Sequence, residues 1–101
     1  MDLVVAVYGY TKDFPSTEQY GLVSQMRRAA VSISSNIAEG SRRRGKDSRN
    51  FLNIAYGSGS ELETQPEAAH RLNLGNETKR TACENLIGNV MRMLNKMVNR
   101  D

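Results

Sequence analysis

The chain has 101 residues, 25% of them charged and 39% hydrophobic, with a formal net charge of +3. That allows one domain at most, spanning 1–101, with enough apolar content to fold and too little for a membrane protein. The longest unbroken apolar run, residues 3–7, is far too short to cross a bilayer. No basic stretch followed by a long apolar core opens the chain, and the single cysteine, Cys83, can form no internal disulfide. A reducing, cytoplasmic setting with no membrane association is the expectation.

Helical periodicity recurs four times along the chain. In the first segment, roughly 2–14, Leu3, Val7, Tyr10 and Phe14 recur at steps of four, three and four. Gly9 weakens this helix, and Phe14-Pro15 is expected to end it, because the residue before proline avoids helical geometry. Ser16 or Thr17 can cap the second segment, roughly 18–39, whose core stripe is Leu22, Met26, Ala29, Ala30, Ile33 and Ile37. Gly40 follows as a plausible residue just past the helix end, where glycine takes left-handed geometry without steric cost.

The third segment, roughly 47–73, is expected to be capped by Asp47 or Ser48. Its predicted stripe is Phe51, Ile54, Ala55, Ser58, Leu62, Gln65, Ala69 and Leu72. The stripe keeps its phase across Pro66, which predicts one helix bent at the proline and not two helices. Asn73-Leu74-Gly75-Asn76 reads as a turn. In the fourth segment, roughly 77–99, Ala82, Cys83, Leu86, Ile87, Val90, Met93, Leu94, Met97 and Val98 cover nearly half the circumference. That is wider than one core face needs. With no competing strand pattern, the fold class predicted is all-α, an antiparallel up-down-up-down four-helix bundle.

The second helix has an unusual back. On a wheel of about 100° per residue, Ser24, Val31, Ser35 and Ala38 lie opposite the core stripe, with Arg27 beside them. Short and partly apolar side chains there would let another helix approach closely, so this face is the candidate oligomer interface. The alternative is a set of incidental small residues on an exposed helix. Val5 and Met91 also point away from their own stripes. Gln25 and Asn36 lie three turns apart at one margin of the core; they either bond across to a neighbouring helix or reach water. Arg28 and Glu39 share an edge with Ser32 and Ser35, a polar ladder better suited to structure than to catalysis.

The charge is concentrated. Residues 42–49 hold five basic groups and one acidic, a local +4, and the remainder of the chain sums to −1. Arg42, Arg43, Arg44, Lys46 and Arg49 exceed what a helix C-terminus requires of cations. Guanidinium forks stay charged and match phosphate oxygens, so a compact loop of them suits a nucleic-acid backbone, independent of sequence and sensitive to salt. One loop is a small footprint; an oligomer would repeat it. An acidic protein partner is the alternative ligand for these arginines, with the oligomer then acting as a scaffold that does not itself touch nucleic acid.

No pattern points to catalysis, to a metal or to a cofactor. His70 is the lone histidine and Cys83 the lone cysteine, so no ligand spacing exists between such residues. Glu61, Glu63 and Glu67 lack the Glu-x-x-His partners of a di-iron bundle. Gly57-Ser58-Gly59-Ser60 lacks the lysine that completes a phosphate loop. Cys83 reads as a small core residue and His70 as a surface one. The expectation is a protein that is not an enzyme.

The stretches "YGLVSQMRRAAVSISSNIAEG", the basic loop after it, "FLNIAYGSGSELETQ" and the final "MLNKMV" resemble the 23S ribosomal-RNA intervening-sequence protein family over about residues 3 to 98. The matching residues are Gln25, Arg27, Arg28, Ser35, Asn36, Glu39, Gly40, Glu61, Glu63 and Gln65. The resemblance implies a bacterial four-helix bundle that assembles into a ring, typically a homopentamer. It also implies similarity to the basic, nucleic-acid-binding accessory proteins of diversity-generating retroelements, and it carries no catalytic residue over. Against the family pattern, the chain is expected to begin inside the first helix, and Pro66 stands where an apolar helical residue is usual.

Overall fold

The structure, a computed structural model, describes residues 2–99. Four α-helices carry the described chain: α1 (Asp2–Thr11), α2 (Ser24–Arg42), α3 (Gly45–Arg71) and α4 (Glu77–Val98). Their inward faces close on one core that includes Val7, Tyr10, Met26, Ala30, Ile33, Leu62, Cys83, Ile87 and Leu94. Each helix packs on its neighbour in sequence, and α1 also packs on α4.

The pairings between helices run in opposite senses. Arg27 of α2 bonds Thr11 of α1, and Ser34 of α2 shares a groove with Leu3. Gly40 meets Ser48 and Leu52, and Ser32 bonds Ser58 at 2.9 Å. On α4, Lys79 pairs with Asp13 and Cys83 with Ala6. In each of these pairs later residues of one helix meet earlier residues of the other, which is compatible with an up-down-up-down order.

Helix α1 is shorter than the 2–14 expected. It ends at Thr11, whose hydroxyl turns back and donates to the Val7 carbonyl at 2.7 Å. Phe14 leaves the helix yet stays buried, its ring edge-on to Tyr10 with centroids 5.0 Å apart. The entry to α2 also differs from a regular helix starting near residue 18. A 3-10 turn (Ser16–Glu18) and a π-helical turn (Gln19–Val23) come first, with a break at Gly21 (φ −104°, ψ −109°). A π turn holds more residues than an α turn, so side-chain directions before Ser24 are rotated. Val23 takes the core place and Leu22 is only half buried. Neither Ser16 nor Thr17 caps α2.

Helix α2 does not stop before Gly40. It continues to Arg42, and Gly40 lies buried inside it. A Cβ there would stand 2.8 Å from Leu52 Cγ and 3.3 Å from the Ser48 carbonyl oxygen. Gly40 is therefore a point of close helix approach, and left-handed geometry is not its role. Neither Asp47 nor Ser48 caps α3, which starts at Gly45; Ser48 instead donates its hydroxyl to the Gly40 carbonyl at 2.7 Å.

The largest departure is the phase of α3. Its buried residues are Leu52, Ala55, Gly59, Leu62, Gln65, Pro66 and Ala69. Apart from Gln65, these recur at three and four like a coiled-coil seam. Phe51 is only half buried, and Ile54 (51% exposed) and Leu72 face outward. Two residues hid this seam from hydrophobic counting. Gly59 has no side chain, and its lack of one is what admits Met91 of α4, which is buried against it and not outward as expected. Pro66 is apolar and buried within one continuous helix. At the other end, Asn73 (φ 58°) and Gly75 (φ 77°) make the expected turn, and the Asn76 side chain accepts from the Lys79 N–H at 2.9 Å to cap α4. No helix of the described residues is long and apolar enough to cross a membrane.

Candidate nucleic-acid interface

The basic corner is built by a two-residue link. Arg43 (φ −100°, ψ 173°) and Arg44 (φ −130°, ψ 156°) are extended, and Gly45, at φ +59°, turns the chain into α3. Successive residues of extended backbone project to opposite sides. The corner is held by the Ser48–Gly40 hydrogen bond and by Leu52 closing on Gly40. Arg42, Arg43, Arg44, Lys46 and Arg49 are all exposed on it, as is Asp47.

These cations are not equivalent. Glu39 bridges two of them, one carboxylate oxygen pairing with Arg42 and the other lying 3.5 Å from Arg43. The Arg43 guanidinium also stands 5.3 Å from the centroid of the Phe51 ring. Arg44, Lys46 and Arg49 pair with no carboxylate among the described residues. Arg43 and Arg49 line one hollow of about 330 Å³ at the bundle end, floored by Gly40, Leu52 and Met97. The N-terminus of α3, where Arg44 offers no side-chain acceptor to the first N–H groups, opens onto the same corner and favours an anion.

The candidate oligomer face is less uniform than its wheel suggested. Val31, Ser35 and Ala38 are exposed, and Ser24 is half buried. Arg27 is half buried and committed within the chain: its Nε donates to Thr11 Oγ1 at 3.0 Å, and its guanidinium lies 4.4 Å over the Tyr8 ring. It joins α1 to α2. Sequence reasoning missed the two tyrosines on this side. Tyr20, 95% exposed, and Tyr8 border a broad hollow with Ser24, Arg27, Arg28 and Val31. Tyr8 follows Val7 and so falls off the stripe of α1, which was the available signal; Tyr20 depends on the π turn, which had none.

At the core margin, Asn36 donates to the Ser32 carbonyl at 2.8 Å and to its hydroxyl at 3.2 Å, and Ser32 reaches Ser58. This ladder fixes the register of α2 on α3. Gln25 is exposed.

The reactive side chains elsewhere are quiet. Cys83 is buried and donates to the Ala6 carbonyl at 3.3 Å; burial, aided by the charge of Glu84, pushes its thiol up to about 11. His70 is exposed beside Asn73 and Arg80. The Tyr10 hydroxyl is buried with no partner among the described residues, and burial raises it to about 12.

Among curated proteins none matches the chain. The family model described as 23S rRNA-intervening sequence protein matches residues 1–96, and with its helical bundle and these motifs the chain belongs to that family.

Proposed function

We propose that this protein is a non-catalytic, self-associating bundle that binds the phosphate backbone of nucleic acid through the α2–α3 corner. The observation that carries the reading is the exposure of Arg42, Arg43, Arg44, Lys46 and Arg49 on one helix corner, with Glu39 and Asp47 the acids beside them among the described residues. Arg44, Lys46 and Arg49 are the primary phosphate contacts; Arg42 and Arg43 must first share or leave Glu39. RNA is the nucleic acid to test first, since the family name refers to 23S rRNA. Association through Ser24, Val31, Ser35 and Ala38, with Arg27 bracing α1 behind them, repeats the corner around a ring. The ring is a homopentamer in the resemblance drawn above. Cys83, buried with its thiol pushed up to about 11, is assigned no catalytic role.

The test is binding to a structured RNA across a salt series. Three to five phosphate contacts per subunit correspond to a slope of log K on log salt of roughly −2 to −4 for each engaged corner. Replacing Arg44, Lys46 and Arg49 together by alanine should make that slope shallower and weaken binding equally for unrelated sequences. No binding at low salt, or affinity untouched by the triple replacement, overturns the proposal.

A further inference from the structure

The tyrosines of this chain end in different settings. Tyr10 is fully buried and Tyr56 half buried. Tyr8 is 44% exposed and Tyr20 95% exposed. Tyr20 stands in the π-helical turn, which breaks the phase of α2 and leaves its ring no core to join. A ring left in water contributes no burial to the fold and is free to meet a ligand.

Tyr20 and Tyr8 border a hollow of about 560 Å³ whose α2 wall carries Arg27, Arg28 and Val31. No carboxylate lines it, and neither arginine enters an ion pair among the described residues. The two cations differ. Arg27 is fixed in advance: its Nε donates to Thr11 Oγ1 at 3.0 Å, Thr11 donates in turn to the Val7 carbonyl, and the guanidinium lies 4.4 Å from the Tyr8 ring centroid. Held by its Nε, it keeps its two terminal nitrogens, the fork that matches a phosphate. Arg28 is exposed.

An exposed ring beside two guanidiniums offers a planar face for stacking and positive charge for an anion. A nucleotide has both counterparts, a planar base and a phosphate. A base inside a duplex is already stacked on its neighbours and shows only its edges, so the base that lies on a protein ring is an unpaired one. The hollow is also continuous with the basic corner. Arg28 and Arg42 are both exposed on one side of α2, about four turns or roughly 21 Å apart along its axis, with Val31 and Ser35 exposed between them. At the 3.4 Å per nucleotide of a stacked strand, about six nucleotides cover that distance.

We infer that this hollow is a second nucleic-acid site, which takes one unpaired nucleotide with its base against Tyr20 and its phosphate on Arg27 and Arg28. The inference rests on the nucleic-acid reading above and adds that the strand is single where it meets the start of α2. Contact is with the face of the base, so it tolerates any sequence. Ser24 and Val31 belong both to this hollow and to the proposed association face, so a second copy seated over Tyr20 would exclude the nucleotide.

The experiment titrates a labelled single-stranded RNA of about ten nucleotides, free of self-complementarity, with the whole protein at low salt, beside an RNA duplex of the same length, both read by anisotropy. Tyr20→Ala should weaken the single strand roughly 5- to 150-fold and leave the duplex unchanged, and Tyr20→Phe, which keeps the ring, should bind like the parent. Arg28→Ala should make the slope of log K on log salt shallower by about 0.7 for the single strand. Both positions are exposed, so the fold is spared. Single-strand affinity that Tyr20→Ala leaves unchanged, or a loss equal for strand and duplex, overturns the inference. A change of subunit number on Tyr20→Ala, measured by light scattering, also overturns it, because the ring would then serve a second copy. Replacing Arg44, Lys46 and Arg49 by alanine separates the two sites: if that variant alone weakens binding, the corner stands and the hollow falls, and if Tyr20→Ala alone does, the reverse holds. A parent protein that binds neither RNA overturns both.

Discussion

Replacing Gly40 by alanine tests whether the α2–α3 corner closes as described. In a helix interior, alanine is favoured over glycine by about 1 kcal/mol. At this position the new methyl would stand 2.8 Å from two carbons of Leu52 and 3.3 Å from the Ser48 carbonyl oxygen. The backbone oxygen cannot swing away, and Leu52 is buried with little room to turn. Overpacking of this kind costs about 1–3 kcal/mol, so after the gain of about 1 kcal/mol the net change is a loss of up to about 2 kcal/mol. Gly57 supplies the control. It lies in α3, is exposed, and a Cβ there meets nothing within 4 Å, so Gly57→Ala should gain up to about 1 kcal/mol. The two variants should therefore separate by roughly 1–3 kcal/mol in urea unfolding followed by circular dichroism. Protein concentration must be held constant, since association shifts apparent stability. Truncating Leu52 to alanine in the Gly40→Ala background should show favourable coupling of about 1 kcal/mol, because it reopens the space that the methyl needs. A Gly40→Ala protein stabilised as much as Gly57→Ala, with an unchanged denaturant slope, would refute the close approach.

Val31→Glu combined with Ala38→Glu should reduce the mass seen by light scattering while the helical signal stays intact, since both positions are exposed and short of neighbours; an unchanged mass removes α2 from the interface. Stability should fall as pH rises above 9, the ordinary value for a thiol, toward about 11 for Cys83, and continue falling to about 12 for Tyr10. The sign follows because the unfolded chain loses these protons first, so it binds fewer than the folded chain through that window. Cys83→Ala should remove the lower part of that decline in a pH series of thermal melts, and an identical decline in the variant would show that the buried thiol is not its source.

The periodic apolar pattern was enough to read an all-helical chain, the four segments and most of the core of α2, because hydrophobic burial acts on composition at regular spacing. The basic corner was equally legible, since charge is a property of residue type and Arg42 to Arg49 are contiguous. Three things were settled only by packing. The phase of α3 turned on Gly59 and Pro66, positions that look like breaks in the pattern but are occupied because a methionine and a close-packed seam need them. The start of α2 was displaced by a π turn that local propensity does not announce, exposing Tyr20. The pairing of Glu39 with Arg42 and Arg43, which divides five like charges into a bridged pair and three without a carboxylate partner, arises because α2 runs one turn further than its glycine suggested. Local sequence determines which residues avoid water; which side chain stands against which depends on distances between helices, and those are set only when all four have packed.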